Sequence, residues 1–254
     1  VVLSVDGASL IALLLASVRV VAWLAVVPPF SSRGIPAMAK VILSLGLCLA
    51  VTPVLAEQDL PMTTFALMTA TAAQALIGLA MGYVTMLLFA AVGAAGSLID
   101  LFGGFALAAA WDPLGMNMNT VFGRFHQMLA TVLLLVSGGH LLVIGGLLST
   151  FRYLPLNGMP DISSWEGVLV TAFSMFFTVA VQMALPMIAV LFVADLALAL
   201  LTKVAPQLNA LNVMFPAKVG LTLLLLGMSF PMLPQAVEHL VGLANEAMAT
   251  MAGA

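Results

Sequence analysis

Residues 60–99 read LPMTTFALMTATAAQALIGLAMGYVTMLLFAAVGAAGSLI, a run of 40 positions without Asp, Glu, Lys or Arg, closed by Asp59 on one side and Asp100 on the other. A bilayer span needs about 20 predominantly apolar residues to cross roughly 30 Å of hydrocarbon, so this run is twice the length of a simple crossing. As one helix it reaches about 60 Å at 1.5 Å per residue, and it must tilt strongly, break, or continue into protein beyond the bilayer. Gly78, Gly82, Gly93 and Gly96 are both close-packing positions and weak points within it. Gly78 and Gly82 form a GxxxG pair that permits close backbone approach, for which ordinary helix packing is a simpler use than an oligomer contact.

The pattern repeats along the chain. Uncharged intervals of 16 residues (Lys40 to Glu57), 27 (Arg124 to Arg152), 28 (Glu166 to Asp195) and 19 (Lys218 to Glu238) follow the same logic, and Ala8 to Phe30 is interrupted only by Arg19. These intervals predict six transmembrane helices at roughly 8–27, 40–56, 63–98, 121–149, 166–200 and 217–235, with a short tail from Gln235 outside or at the interface. A barrel would show short alternating segments instead. Of 254 residues 63% are hydrophobic and 7% charged, against roughly 25% charged in a soluble domain. The expected class is an all-α integral membrane protein of about six long apolar helices in hairpins, with no soluble domain. The net charge of -3 and the lack of a basic block leave nothing to bind nucleic acid.

Placing the N-terminus outside puts Arg33, Lys40, Arg124, Lys203 and Lys218 inside, and Glu57, Asp59, Asp161 and Glu166 outside with Arg152. That orientation satisfies the positive-inside rule. The first helix has no basic leader and ends in Val26-Val27-Pro28-Pro29-Phe30, so it reads as a retained span. Cys48 lies in an apolar run and reads as a small buried hydrophobe.

A charge at mid-bilayer costs about 2.5–3.5 kcal/mol on insertion scales, so Arg19, Asp100 and Asp195 should face protein or water. Two uses are open. One is a paired bundle interior in which Arg19 saturates Asp195 or Asp100. The other is a proton-coupled secondary transporter using Asp100 and Asp195, which needs a denser chain of acids and histidines. His126 and His140 fall near one face of the helix expected over 121–149, about 21 Å apart along it, too far to share a metal. No HExxH, P-loop, GxSxG, CxxC or clustered carboxylate pair occurs, so no enzyme, cofactor or metal is expected. Gly115 to Val121 (GMNMNTV) is an irregular, polar, Met-bearing stretch between long apolar helices. At membrane depth such backbone is tolerated only inside protein or along a water-filled cavity; an ordinary inner-surface loop is the plainer reading.

In order, the punctuating residues resemble the FliR family of flagellar biosynthetic proteins, which corresponds to the T component of the type III secretion export apparatus. Four blocks carry the resemblance: Arg19, Pro28-Pro29-Phe30, Arg33-Gly34-Ile35-Pro36, Lys40 and Pro53; Ala95-Gly96, Asp100, Gly103-Gly104 and Asp112-Pro113; Gly138-Gly139-His140, Ser149, Phe151 and Pro155; and Pro186, Pro206-Gln207-Leu208-Asn209, Phe215-Pro216, Lys218 and Gly220. The resemblance implies a channel-forming subunit that passes unfolded flagellar export substrates across the inner membrane at the flagellar basal body. It implies FliP and FliQ homologues in a hetero-oligomeric helical complex, with FlhB and FlhA as further partners beside membrane lipid. It also implies a FliP-like part over 1–160 and a FliQ-like hairpin with a C-terminal tail over 161–254, some apolar helices being covered by subunits instead of lipid. The family's plug maps onto 103–122, making Gly103, Gly104, Phe105, Trp111, Asp112, Pro113, Met116, Asn117 and Met118 pore or plug candidates. Pro206, Gln207, Asn209 and Lys218 become candidates for an inner-face turn that meets FlhB or FlhA. Met116 to Asn119 and Asn212 to Met214 depart from the family pattern.

Overall fold

The computed structural model describes residues 7–32, 34–58, 60, 63–105, 120–158, 162–205 and 210–254. Within them the chain is helical and no strand occurs. The helices are α1 (Gly7–Val26), α2 (Ala37–Leu55), α3 (Thr64–Gly103), α4 (Val121–Val136), α5 (Gly139–Tyr153), α6 (Ile162–Val204), α7 (Ala210–Ser229) and α8 (Leu233–Met251), with a 3-10 turn at Phe230–Met232 before the last. Among the described residues five segments are long and apolar enough to cross a bilayer, or six if α4 and α5 count as one broken span.

From Thr64 the long run after Asp59 is one unbroken helix, α3. Thr63 caps it by accepting the Ala66 N–H on its hydroxyl at 3.3 Å, which satisfies one of the orphan donors of the first turn. Gly104, at φ +84°, ends it in the left-handed conformation that glycine adopts without penalty. Hydroxyls inside apolar helices turn back on their own backbone, as in Thr52 to the Cys48 carbonyl (2.8 Å) and Thr85 to the Met81 carbonyl (2.9 Å), which satisfies them without water.

Two expected boundaries are corrected. The single span over 121–149 is two helices, broken at Ser137-Gly138, where Gly138 takes φ +75°. His126 and His140 therefore stand on different helices. Hydropathy misses the break because an apolar helix runs up to it on either side. Gly138→Ala should cost about 1–2 kcal/mol, the left-handed penalty for a residue with a β-carbon; an unchanged thermal midpoint in detergent would refute that strain. The tail after Gln235 is helical to Met251. Its polar residues depress hydropathy, yet Val237, Leu240, Val241, Ala244 and Met248 form a buried stripe at helical spacing.

The chain divides into two compact units, Val1–Leu88 with Gly138–Phe173 and Leu240–Ala254, and Phe89–Ser137 with Ser174–His239. In the first, α1 buries Ala12, Leu15, Ala16, Val20, Trp23 and Leu24, and α3 contributes Ile77, Met81 and Val84. The GxxxG pair is spent inside the chain. A β-carbon at Gly78 would overlap the Arg19 carbonyl oxygen, and one at Gly82 would lie 3.3 Å from Trp23 Cα. The Trp165 indole N–H donates to the Met251 carbonyl at 3.0 Å, tying α6 to the end of α8. The second unit has its own core of Ala95, Ile99, Phe122, Ala184, Met187 and Leu226, drawn from α3, α4, α6 and α7.

Self-burial is uneven among the apolar segments. The most apolar windows of α1 and α3 are 44% and 56% buried by the chain itself, whereas that of α6 is 17% buried. Phe173, Phe177, Leu185, Phe192 and Val193 of α6 are exposed. An apolar surface of that extent has to be covered by lipid or by other protein.

Candidate functional site

In the second unit the end of α3 meets the start of α4. Asp100 lies in the last turn of α3 with 1% of its surface exposed. A carboxylate there opposes the negative end of its own helix dipole, but it reaches the positive end of another. Asp100 Oδ2 accepts the backbone N–H of Phe122 at 2.8 Å and of Gly123 at 3.1 Å. These are donors of the first turn of α4 that have no partner within the helix. Thr120, the residue before α4, makes no side-chain cap; its hydroxyl is paired with that of Ser97 at 2.8 Å. A residue of α3 thus caps α4.

Small residues allow this approach. A β-carbon at Gly96 would overlap the Phe122 carbonyl, and one at Gly93 would lie 2.8 Å from Gln127 Oε1. The Phe105 and Phe122 rings meet edge to face with centroids 4.7 Å apart. His126 Nδ1 lies 2.9 Å from the Phe122 carbonyl, on the same first turn. The end of α3 also rests on α7: a β-carbon at Gly103 would come 2.8 Å from the Thr222 methyl group, and one at Gly104 would lie 3.7 Å from Lys218 Cδ. Lys218 in turn donates to Asp195 Oδ2 of α6 at 2.8 Å.

The second unit therefore gathers Gly103, Gly104, Phe105, Asp100, Asp195 and Lys218 from the residues singled out in the sequence. Lys218 stands within α7, and Asp195 is partly exposed, its side chain at 36%. Trp111, Asp112, Pro113, Met116, Asn117 and Met118 lie outside the described residues, as do Pro206, Gln207 and Asn209.

Arg19 corrects an expectation. It is fully buried in the first unit, yet it meets neither Asp100 nor Asp195. Its Nε donates to Gln74 Oε1 at 2.6 Å, Nη1 to the Thr150 hydroxyl at 3.2 Å and Nη2 to the Leu154 carbonyl at 2.9 Å. The guanidinium carbon stands 4.2 Å from the Phe151 ring centroid, a cation–π contact. Gln74 Nε2 donates onward to the Leu156 carbonyl at 2.9 Å. Neutral acceptors around a planar fork of donors thus take the place of a counter-ion.

A cavity of about 270 Å³ in the second unit is lined by His126, His239, Gln182, Met183 and Met187 among others. Among the described residues no group of three or more His, Cys, Asp or Glu could hold a metal ion. The sequence reading passed over Gln74, Ser97, Thr120 and Gly123. Gln74 carried a signal, being the one amide side chain between Asp59 and Asp100; the hydroxyls and Gly123 carried none.

The profile of bacterial export proteins, family 1, matches residues 10–244. The chain is 35% identical to flagellar biosynthetic protein FliR of Escherichia coli K12 over 87% of this chain and 85% of that protein. It is 27% identical to FliR of Bacillus subtilis over 93% of each. Yop proteins translocation protein T of Yersinia pestis is 28% identical over 71% of this chain and 70% of its own length. The arginine knot, the α3–α4 junction and the long apolar helices are thus features of a chain that belongs to the FliR family of bacterial export proteins.

Proposed function

We propose that this protein is the channel-forming subunit of a flagellar type III export gate in the bacterial inner membrane, at the flagellar basal body. It passes unfolded flagellar substrates while segment 103–122 gates the pore. FliP and FliQ homologues cover its exposed apolar helices in a hetero-oligomeric complex, and FlhB and FlhA meet the inner-face turn at Pro206 to Asn209. The parts over 1–160 and 161–254 act as the FliP-like and FliQ-like contributions to that assembly. The chain performs no catalysis; recognition and energy come from its partners.

The observation that carries this reading is the convergence of both stems of segment 106–119. Phe105 before it and Phe122 after it are in ring contact at 4.7 Å, so the described residues on either side of it are held together. The family membership agrees with this reading, as does the extent of apolar surface on α6. The proton-coupled transporter draws no support, because Asp100 serves the backbone of α4 and Asp195 is held by Lys218.

Deleting residues 106–117 tests the gate. The assembled complex is expected to conduct ions at rest, measured as current across a planar bilayer; a deletion variant as tight as the intact complex would sink the gating role.

A further inference from the structure

The α3–α4 junction has the makings of a moving joint. The first turn of α4 has no cap from its own side, since the Thr120 hydroxyl is engaged with Ser97. Its Phe122 and Gly123 N–H groups both converge on one oxygen of one carboxylate. Among the described residues the other oxygen, Asp100 Oδ1, is buried with no hydrogen-bond partner. A carboxylate accepts on both oxygens when fully satisfied, and a bare buried acceptor carries a desolvation cost. The closed junction therefore sits above the energy of a permanent cap, and parting lets solvent or another donor reach Oδ1.

The strip where the two helices come closest is lined by glycine. Gly93 and Gly96 on α3 face the first turns of α4 at Gly123 and Gln127, so along that strip backbone meets α4 closely, and the side chains that have to slide apart are those of Gln127 and of the Phe105–Phe122 pair. The backbone beyond each side is set for reorientation by glycine: Gly104 follows α3 at φ +84°, and Gly138 follows α4 at φ +75°. Hinges are a few element-terminal residues that absorb backbone change.

We propose that Asp100, with Ser97 and Thr120, forms a releasable clasp between the end of α3 and the start of α4, and that passage of a substrate chain requires the clasp to part. Asp100 acts here as a positioning residue. The proposal rests on the gating role given above and supplies its regulation: the resting state holds because Asp100, with the Ser97–Thr120 pair, joins both stems.

The test is a reversible lock. The Ser97 and Thr120 hydroxyl oxygens are 2.8 Å apart, so the two side chains already meet where a cysteine pair would bridge, and Cys48 is fully buried and takes no part. Ser97→Cys with Thr120→Cys is introduced into the full chain, and oxidant is added to cells whose export apparatus is already assembled. Secreted flagellar protein is compared between oxidised and reduced states of the one variant. Oxidation is expected to bring secretion down to that of a strain lacking the chain, and reductant to restore it. Undiminished secretion with cross-linking verified as complete overturns the clasp, as does failure of the two cysteines to cross-link.

Asp100→Asn supplies a second readout. It keeps the shape and one acceptor but loses the charge that makes such bonds roughly twice as strong. About a tenfold rise in resting ion leak at normal complex yield is expected, this being the change in closed-to-open ratio for one weakened charged contact; an unchanged leak counts against the clasp. The two proposals fail separately. A leaking 106–117 deletion with a harmless lock leaves the gate standing and removes the clasp. A tight deletion with a blocking lock leaves a moving junction and removes the segment as its plug.

Discussion

Replacing Arg19 with alanine is expected to keep the chain from accumulating in a folded form. The side chain makes three hydrogen bonds from a charged group, to Gln74, Thr150 and Leu154, and such bonds contribute about 1.5–3 kcal/mol each. Truncation also strands the Gln74 and Leu154 oxygens in the core and opens a cavity beneath Phe151, adding about 2 kcal/mol or more. The loss is comparable with the roughly 5–15 kcal/mol that separates a folded domain from its unfolded chain. Arg19→Lys should recover only part of it, because an ammonium lacks the planar fork that meets these acceptors together. Yield and thermal midpoint in mild detergent measure both variants. An alanine variant with normal yield and midpoint would show that the knot does not hold the first unit together.

The glycines predict a graded series. Gly78→Ala drives a methyl group into the Arg19 carbonyl and to 2.9 Å from Ala22 Cβ, so α1 and α3 must move apart. Overpacking of this kind costs about 1–3 kcal/mol, and backbone cannot yield as a side chain does. Gly82→Ala meets Trp23 Cα at 3.3 Å and should cost less. At Gly46 of α2 a β-carbon meets nothing within 4 Å, and alanine should be neutral or raise stability by about 0.5–1 kcal/mol through helix propensity. Thermal midpoints of the three variants should fall in the order Gly46, Gly82, Gly78; any other order would disconnect stability from the α1–α3 approach.

The helices were legible because hydropathy reports their surroundings directly: the 40-residue run between Asp59 and Asp100 corresponds to the 40-residue α3. The expense of burying Arg19 and Asp100 was legible too, from charge at mid-span alone. Their partners were not. Arg19 is satisfied by an amide, a hydroxyl and a carbonyl, none of which stands out in sequence. Asp100 caps a helix that starts 21 positions later, at Val121, where a capping motif would look only three or four residues away. The break at Ser137-Gly138 hid for a related reason, since a left-handed glycine inside an apolar region leaves the hydropathy almost unchanged.

The arginine knot also has a history in time. The Leu154 carbonyl that receives Arg19 lies 135 residues further along the chain. At about 5–20 residues per second, a ribosome takes some 7–27 s to cover that interval. Through that period the guanidinium of α1 has Gln74 at best and must draw water or lipid headgroups toward it, as long basic side chains do near an interface. α1 therefore acquires its last hydrogen-bond partner only when the end of α5 is delivered.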